Sequence, residues 1–235
     1  MPEFNWPESG ERWRIGQSTS RIDGPVKSAG KAEYTYDVNL YGMLYAKIKS
    51  CPHAHARIVS IDTSAAEEME GVRAVRIIQE PGAEVQWSLD EVVAVAADTE
   101  EIATDAIRAI KIEYEVLEHF IDPEDREAAA DASPAQAQVT GDPDAAFSQA
   151  DVTIEGYYGL PTISHCCMES HGDVAYWEDD QHLTVYASTQ AVSGLPGQFA
   201  DALGIPASNV RIICQHMGGG FGSKDSAHPD EMLTA

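Results

Sequence analysis

The segment that most constrains this chain is Cys214-Gln215-His216-Met217-Gly218-Gly219-Gly220-Phe221-Gly222-Ser223-Lys224-Asp225. Glycine weakens both helices and strands and reaches positive φ freely, so such a run reads as a loop. Residues 209–214, with their β-branched side chains, read as a short strand leading in, and residues 226–235 can open a helix leading out. A glycine loop between strand and helix is either a plain tight turn or a place where backbone N–H groups approach an anion. Two common phosphate loops are excluded. A Walker loop ends in Gly-Lys-Ser/Thr, whereas Ser223-Lys224-Asp225 stands here, and a dinucleotide fingerprint needs a third glycine where Ser223 lies. Turn and anion cradle both remain open on this stretch alone.

Composition narrows the partners. The 235 residues, 43% of them hydrophobic, suffice for one sizeable core or two small ones. With 39 acidic and 15 basic residues the net charge is −24, which argues against nucleic acid and anionic membrane as partners. No apolar run approaches a membrane span, and the first 14 residues lack the apolar stretch of a secretory signal. Cys51, Cys166, Cys167 and Cys214 form neither a disulfide framework nor a paired CxxC pattern, so reduced thiols in a cytoplasmic protein are expected.

Residues 1–20 are polar, with Trp6 and Trp13 as isolated aromatics, and read as an extended arm. Arg21-Ile22-Asp23-Gly24-Pro25 reads as a turn. Residues 41–49 give a strand with Leu44, Ala46 and Ile48 on one face. His53 and His55 could share a face, but with no third ligand nearby they suit a loop or interface better than a metal. A strand over 57–61, a short helix over 63–69 capped by Asp62 or Thr63 and stopped by Gly71, and a strand over 72–78 follow. The unbroken apolar run 92–96 predicts a buried strand. Residues 98–101 cap a helix whose face carries Ile102, Ala103, Ala106, Ile107 and Ile110, and residues 111–116 alternate as a strand. Residues 122–140, rich in Asp, Glu, Ala, Pro and Gln, read as a linker. Beyond it come a capped helix at 141–147, a strand at 151–158, a strand pair near 174–177 and 182–186, and a helix with Leu195, Phe199, Ala202 and Leu203 on one face, ended by Gly204. Glu169 and His165 read as a structural carboxylate–imidazole pair. The cluster His165, Cys166, Cys167 and His171 matches no common zinc spacing.

Taken in order, several pieces resemble the N-terminal part of the molybdenum-binding large subunit of the xanthine dehydrogenase/aldehyde oxidase family. They are Arg21-Ile22-Asp23-Gly24 with Gly30-Lys31-Ala32, Ser50-Cys51-Pro52-His53-Ala54-His55-Ala56 running into Ile61-Asp62-Thr63, and residues 92–99 with Tyr114-Glu115. Gly141-Asp142 with Ala145-Ala146-Phe147, His165 with Glu169, Ser188-Thr189-Gln190 and the glycine loop complete the set. The resemblance implies an α+β chain: an N-terminal arm at 1–20, an α/β hammerhead domain at 21–130, and the first part of a molybdopterin-binding domain at 141–235. The hammerhead looks abbreviated between Ile78 and Val92.

The same resemblance implies the chemistry. The family hydroxylates purines, N-heterocycles or aldehydes, with water as the oxygen source. Gly219, Gly220, Phe221 and Gly222 are expected to line the molybdenum cofactor, a molybdopterin that in some relatives is a dinucleotide, and the Gln190 amide to reach the metal's oxo group. Asp225 stands where some relatives place a substrate-touching acid. No residue of this chain is expected to be catalytic, because the family's base glutamate lies in a later domain, and no residue is expected to ligate the metal. With no iron–sulfur or flavin motif here, 2Fe-2S clusters and FAD are expected on partner subunits, beside the remaining half of the molybdopterin subunit. The alternative is a non-catalytic stand-alone fragment acting as a docking or assembly module. Either way, cut sheet edges predict aggregation or partial disorder beyond Gly141 when the chain is expressed alone.

Overall fold

The structure, a computed structural model, describes residues 7–122, 136 and 138–235. Trp6 and most of the expected linker lie outside the described residues. Two compact units emerge, Leu44–Ser164 and the described part of Met1–Met43 together with His165–Ala235. Helix α1 (Gly24–Ser28) replaces the turn expected at 21–25, since Pro25 in its first turn has no amide to leave unsatisfied. Trp13 is exposed, with the Arg14 guanidinium 4.1 Å over its ring.

The unit Leu44–Ser164 holds strands β1 (Tyr45–Ser50) and β2 (Ala56–Asp62), helix α2 (Ser64–Glu67), strands β3 (Val72–Ile77), β4 (Glu84–Val85) and β5 (Glu91–Ala97), helix α3 (Glu100–Ala109), strand β6 (Lys111–Val116) and helix α4 (Pro143–Ser148). They form two antiparallel three-stranded sheets, ordered β1-β5-β3 and β4-β2-β6. The apolar run of β5 lies in the middle of its sheet, and Val92, Val93, Val95 and Ala97 are buried as that run requires. Helix α3 starts where the Thr99 hydroxyl accepts from the Ile102 amide at 3.2 Å, and it buries Ala103 and Ala106. Helix α2 ends at Glu67 with Glu68 as its C-cap, short of the stop expected at Gly71, which instead takes φ +90° just before β3, a conformation that favours glycine. Asp142 caps α4 by accepting from the Ala145 amide at 2.9 Å. His53 packs edge-on against Tyr114, and His55 bonds the Glu118 carbonyl and the Glu84 carboxylate.

Ala46 and Ile48 share one face of β1 as expected, with Ala46 and the preceding Leu44 exposed, and Lys47 from the opposite face reaches Glu100 at 2.6 Å. Residues 151–158 form no strand; Val152, Ile154 and Tyr158 alternate as a strand face would, but no sheet neighbour among the described residues pairs with them. Strand β4 adds an element that sequence reading does not find, since two residues carry no readable period.

The other unit is built on a sheet ordered β7-β8-β9, with β7 (Asp173–Trp177), β8 (Leu183–Ala187) and β9 (Val210–Ile213). β7 and β8 form an antiparallel pair, whereas β8 and β9 run parallel and are joined through helix α5 (Leu195–Leu203). Leu195 and Phe199 of α5 are fully buried against Leu183, Val185 and Val210, whereas Ala202 is exposed. Gly204 ends the helix in the left-handed conformation at φ +72°. Helix α6 (Pro229–Thr234) is tied to β7 by the Thr234 hydroxyl, which donates to Asp173 at 2.7 Å. No helix among the described residues is long and apolar enough to cross a membrane.

Two measurements check this packing. Phe199→Ala should destabilise the unit by about 3–5 kcal/mol in urea unfolding, because it empties the α5–sheet contact. Burial, reinforced by Glu231 and Asp230, pushes the Asp173 carboxyl up to about 7 despite the Thr234 hydrogen bond. A raised carboxyl binds its proton more tightly folded than unfolded, so it costs stability as pH rises from the ordinary carboxylate range to 7. Asp173→Asn should therefore stabilise by on the order of 1–2 kcal/mol at pH 8 and far less at pH 4, read as melting temperature against pH.

Candidate functional site

Because β8 and β9 are parallel, their carboxyl ends point the same way, and in α/β sheets ligands gather outside such ends. β8 runs out into Ser188-Thr189-Gln190, and β9 runs out into the glycine loop. The two exits are bonded together. The Gln190 amide donates to the Lys224 carbonyl at 2.8 Å, and the Thr189 hydroxyl donates to the same carbonyl at 3.1 Å.

The glycines of the loop serve different purposes. Gly219 and Gly222 have φ of +110° and +97°, which favour glycine. Gly220 and Gly218 are needed for space. A Cβ on Gly220 would lie 2.6 Å from Gln190 Cγ, and one on Gly218 would lie 2.5 Å from Glu169 Cβ. Phe221 also adopts a left-handed backbone, at φ +54°, with its ring exposed. A bulky residue held in that conformation marks stored strain of the kind that clusters at ligand sites.

The loop carbonyls of Gly218, Gly220 and Ser223 are engaged by the protein. Gly220 O accepts from the Ser223 amide at 2.9 Å, the Ser223 hydroxyl at 2.7 Å and the Cys167 thiol at 3.4 Å. Ser223 O accepts Nε2–H from both His171, at 3.0 Å, and His228, at 2.9 Å, with the two rings edge to face. Gly218 O accepts from the Glu169 amide at 3.2 Å. By contrast, the amides of Gly219, Gly220 and Phe221 donate to no acceptor among the described residues. The Gly222 amide donates to Gln190 Oε1 at 2.8 Å. That bond fixes which end of the Gln190 side chain is an acceptor, and leaves its Nε2 hydrogens without an acceptor among the described residues.

Beneath the loop lies a polar network that sequence reading missed. Lys224 is fully buried, and its Nζ donates to Ser188 Oγ at 2.5 Å and the Glu169 carbonyl at 3.0 Å, and lies 3.3 Å from Glu169 Oε2. Glu169 Oε2 also accepts from the Gly218 amide at 2.6 Å and the Ser188 hydroxyl at 2.7 Å. Burial alone would push the Glu169 carboxyl up, but these donors and the Lys224 charge outweigh it and hold it below the ordinary value. All of these bonds fall on one oxygen; Glu169 Oε1 is buried with no donor among the described residues.

Of the residues singled out in the sequence, Gln190, Gly219, Gly220, Phe221 and Gly222 come together at this loop, Gly222 through its bond to Gln190. Asp225 is exposed and makes no hydrogen bond to them. The partners of the Glu169 carboxylate are Lys224, Ser188 and Gly218, not His165 as expected, because burial of an ammonium demands the carboxylate. The only local hint of this network was a lysine placed directly after a glycine loop.

A run of free amides of this kind suits an oxygen-rich anion. The molybdopterin cofactor-binding domain family matches residues 124–235, and the a/b hammerhead domain of aldehyde oxidase and xanthine dehydrogenase matches residues 29–82. The chain belongs to the xanthine dehydrogenase/aldehyde oxidase family. The nicotinate dehydrogenase large molybdopterin subunit of Eubacterium barkeri is 35% identical over 89% of this chain and 55% of its own length. The xanthine dehydrogenase molybdenum-binding subunit of Escherichia coli O157:H7 is 33% identical over 90% of this chain and 33% of its own length. Among solved structures, Cu,Mo-CO dehydrogenase superposes with a TM-score of 0.78 at 25% identity, covering 93% of this chain and 33% of that one. Quinoline 2-oxidoreductase from Pseudomonas putida 86 gives 0.74 at 28% identity, covering 93% and 32%. The chain thus spans about a third to a half of the length of the relatives it matches. Its fold is the family's hammerhead followed by a molybdopterin-binding domain.

The two kinds of glycine make a direct check. Gly220→Ala should displace Gln190 and destabilise by about 1–3 kcal/mol in urea unfolding, as overpacking does. Gly197→Ala, in α5 where a Cβ meets nothing within 4 Å, should instead be neutral or stabilising by up to about 1 kcal/mol.

Proposed function

We propose that this chain supplies one wall of the molybdenum cofactor site of a molybdenum hydroxylase that acts on purines, N-heterocycles or aldehydes. The observation that carries the reading is the glycine loop, in which the consecutive amides of Gly219, Gly220 and Phe221 are free among the described residues while the carbonyls of Gly218, Gly220 and Ser223 are engaged. The residues fit the group. The amides of Gly219, Gly220 and Phe221, with the Nε2 hydrogens of Gln190, would donate to anionic oxygens of the cofactor. Gly222 holds Gln190 in register through its amide. The exposed Phe221 ring would form a hydrophobic side of the substrate cavity, with Asp225 at its edge. The bound cofactor supplies the redox chemistry by which oxygen from water enters the substrate.

In this reading the chain orients and desolvates but moves no proton itself. Glu169 is bound by three donors and lowered in pKa, which makes it a poor base. The general base, the rest of the cofactor cradle, and the iron–sulfur and FAD groups that carry electrons away belong to polypeptide outside these residues. The domain division is proposed as an arm at 1–20, a hammerhead at 21–130 and cofactor-binding residues from 141.

Purifying the chain with its native partners and measuring molybdenum by elemental analysis tests this. Stoichiometric metal is expected, falling severalfold in Gln190→Ala with the complex still assembled. Absence of molybdenum from every complex would sink the proposal and leave a docking or assembly module.

A further inference from the structure

The mutual position of Glu169 and Lys224 reaches beyond the cofactor reading, although its functional meaning rests on it. The loop runs from Gly218 to Lys224. At its first residue the Gly218 amide donates to Glu169 Oε2 at 2.6 Å, while Gly218 O accepts from the Glu169 amide at 3.2 Å. At its last residue Lys224 Nζ meets the same carboxylate oxygen at 3.3 Å and the Glu169 and Ser170 carbonyls at 3.0 and 3.5 Å. Ser188 Oγ closes the triangle, accepting from Lys224 at 2.5 Å and donating to Glu169 at 2.7 Å. The Lys224 side chain is fully buried and that of Glu169 is nine-tenths buried. The free amides of Gly219, Gly220 and Phe221 lie between the two anchored ends.

We propose that Glu169 and Lys224 are positioning residues: a single buried ion pair, bridged by Ser188, clamps both ends of the glycine loop and so fixes where the amides of Gly219, Gly220 and Phe221 stand. The physical reason is the low dielectric around the pair. Each charge is costly to bury alone, so neither end of the loop can leave without stranding the other. The strained backbone at Phe221 needs such over-determination to persist. A solvated pair of the same geometry would lack this grip, because exposed ion pairs contribute little.

The test uses the full chain, with hydrogen exchange of the bonded loop amides of Gly218, Gly222 and Ser223 as its first readout. Glu169→Gln and Lys224→Met should each raise exchange there at least tenfold, while peptides from the β1-β5-β3 sheet stay unchanged. The double variant should exchange no faster than the worse single, since removing both charges leaves neither stranded. In the wild type, protection should persist above the ordinary carboxylate range and be lost as pH falls through the depressed pKa of Glu169; Glu169→Gln should show no such transition. If either single variant fails to fold, Ser188→Ala takes its place, with a smaller rise at the same amides expected. Unchanged loop exchange in all three single variants, or strictly additive effects in the double, would overturn the proposal. Molybdenum content separates it from the reading above. Loosened loops in a chain that never holds molybdenum sustain the clamp and sink the cofactor reading. Molybdenum in the wild type with loops indifferent to Glu169→Gln and Lys224→Met does the reverse.

Discussion

The ion pair between Lys224 and Glu169 is the interaction on which the functional end of this chain depends. A buried ammonium and carboxylate gain little over a well-packed apolar pair, yet breaking one by removing a partner costs about 3–5 kcal/mol. The pair is therefore better understood as a geometric device than as a source of stability. It joins the segment before β7 to the segment after β9 and passes beneath β8's exit at Ser188. Three separate pieces of chain thus arrive at one point in one register.

The electrostatics of the loop follow from this. The chain carries a net charge of −24, an unfavourable background for an anionic ligand. The cation nearest the loop, Lys224, is neutralised by Glu169 and buried. In the proposed reading, what remains to attract negative oxygen is a set of uncharged amide dipoles. Such dipoles work only when preorganised, since a mobile loop would turn its own carbonyls toward the ligand. The thiol of Cys167 and the hydroxyl of Ser223 occupy the Gly220 carbonyl, and the imidazoles of His171 and His228 occupy that of Ser223.

Much of this was legible in the sequence, and the rest was not for identifiable reasons. The apolar run of β5, the capped amphipathic α3, the Gly204 stop of α5 and the strand leading into the glycine loop are all local patterns, and the structure follows them. The Glu169–Lys224 pair spans 55 residues and has no local signature. The contact of His216 with the Glu33 carbonyl spans 183 residues and brings the N-terminal segment to the loop's own unit. Residues 151–158 show the opposite failure, for alternation specifies a face but cannot provide a neighbouring strand. The resemblance to a known family pointed to the glycine loop, yet the network beneath it emerged only from the folded chain.

The bond from the Gly222 amide to Gln190 Oε1 has an evolutionary corollary. Glutamate is isosteric with glutamine and would satisfy Gly222 equally well, so packing and folding place no barrier against that exchange. It would nevertheless replace an outward-facing donor with a negative acceptor. If the proposed cofactor role of the loop holds, position 190 is a marker readable without any structure: a descendant of this chain with glutamate there would keep the architecture and lose the proposed anion contact.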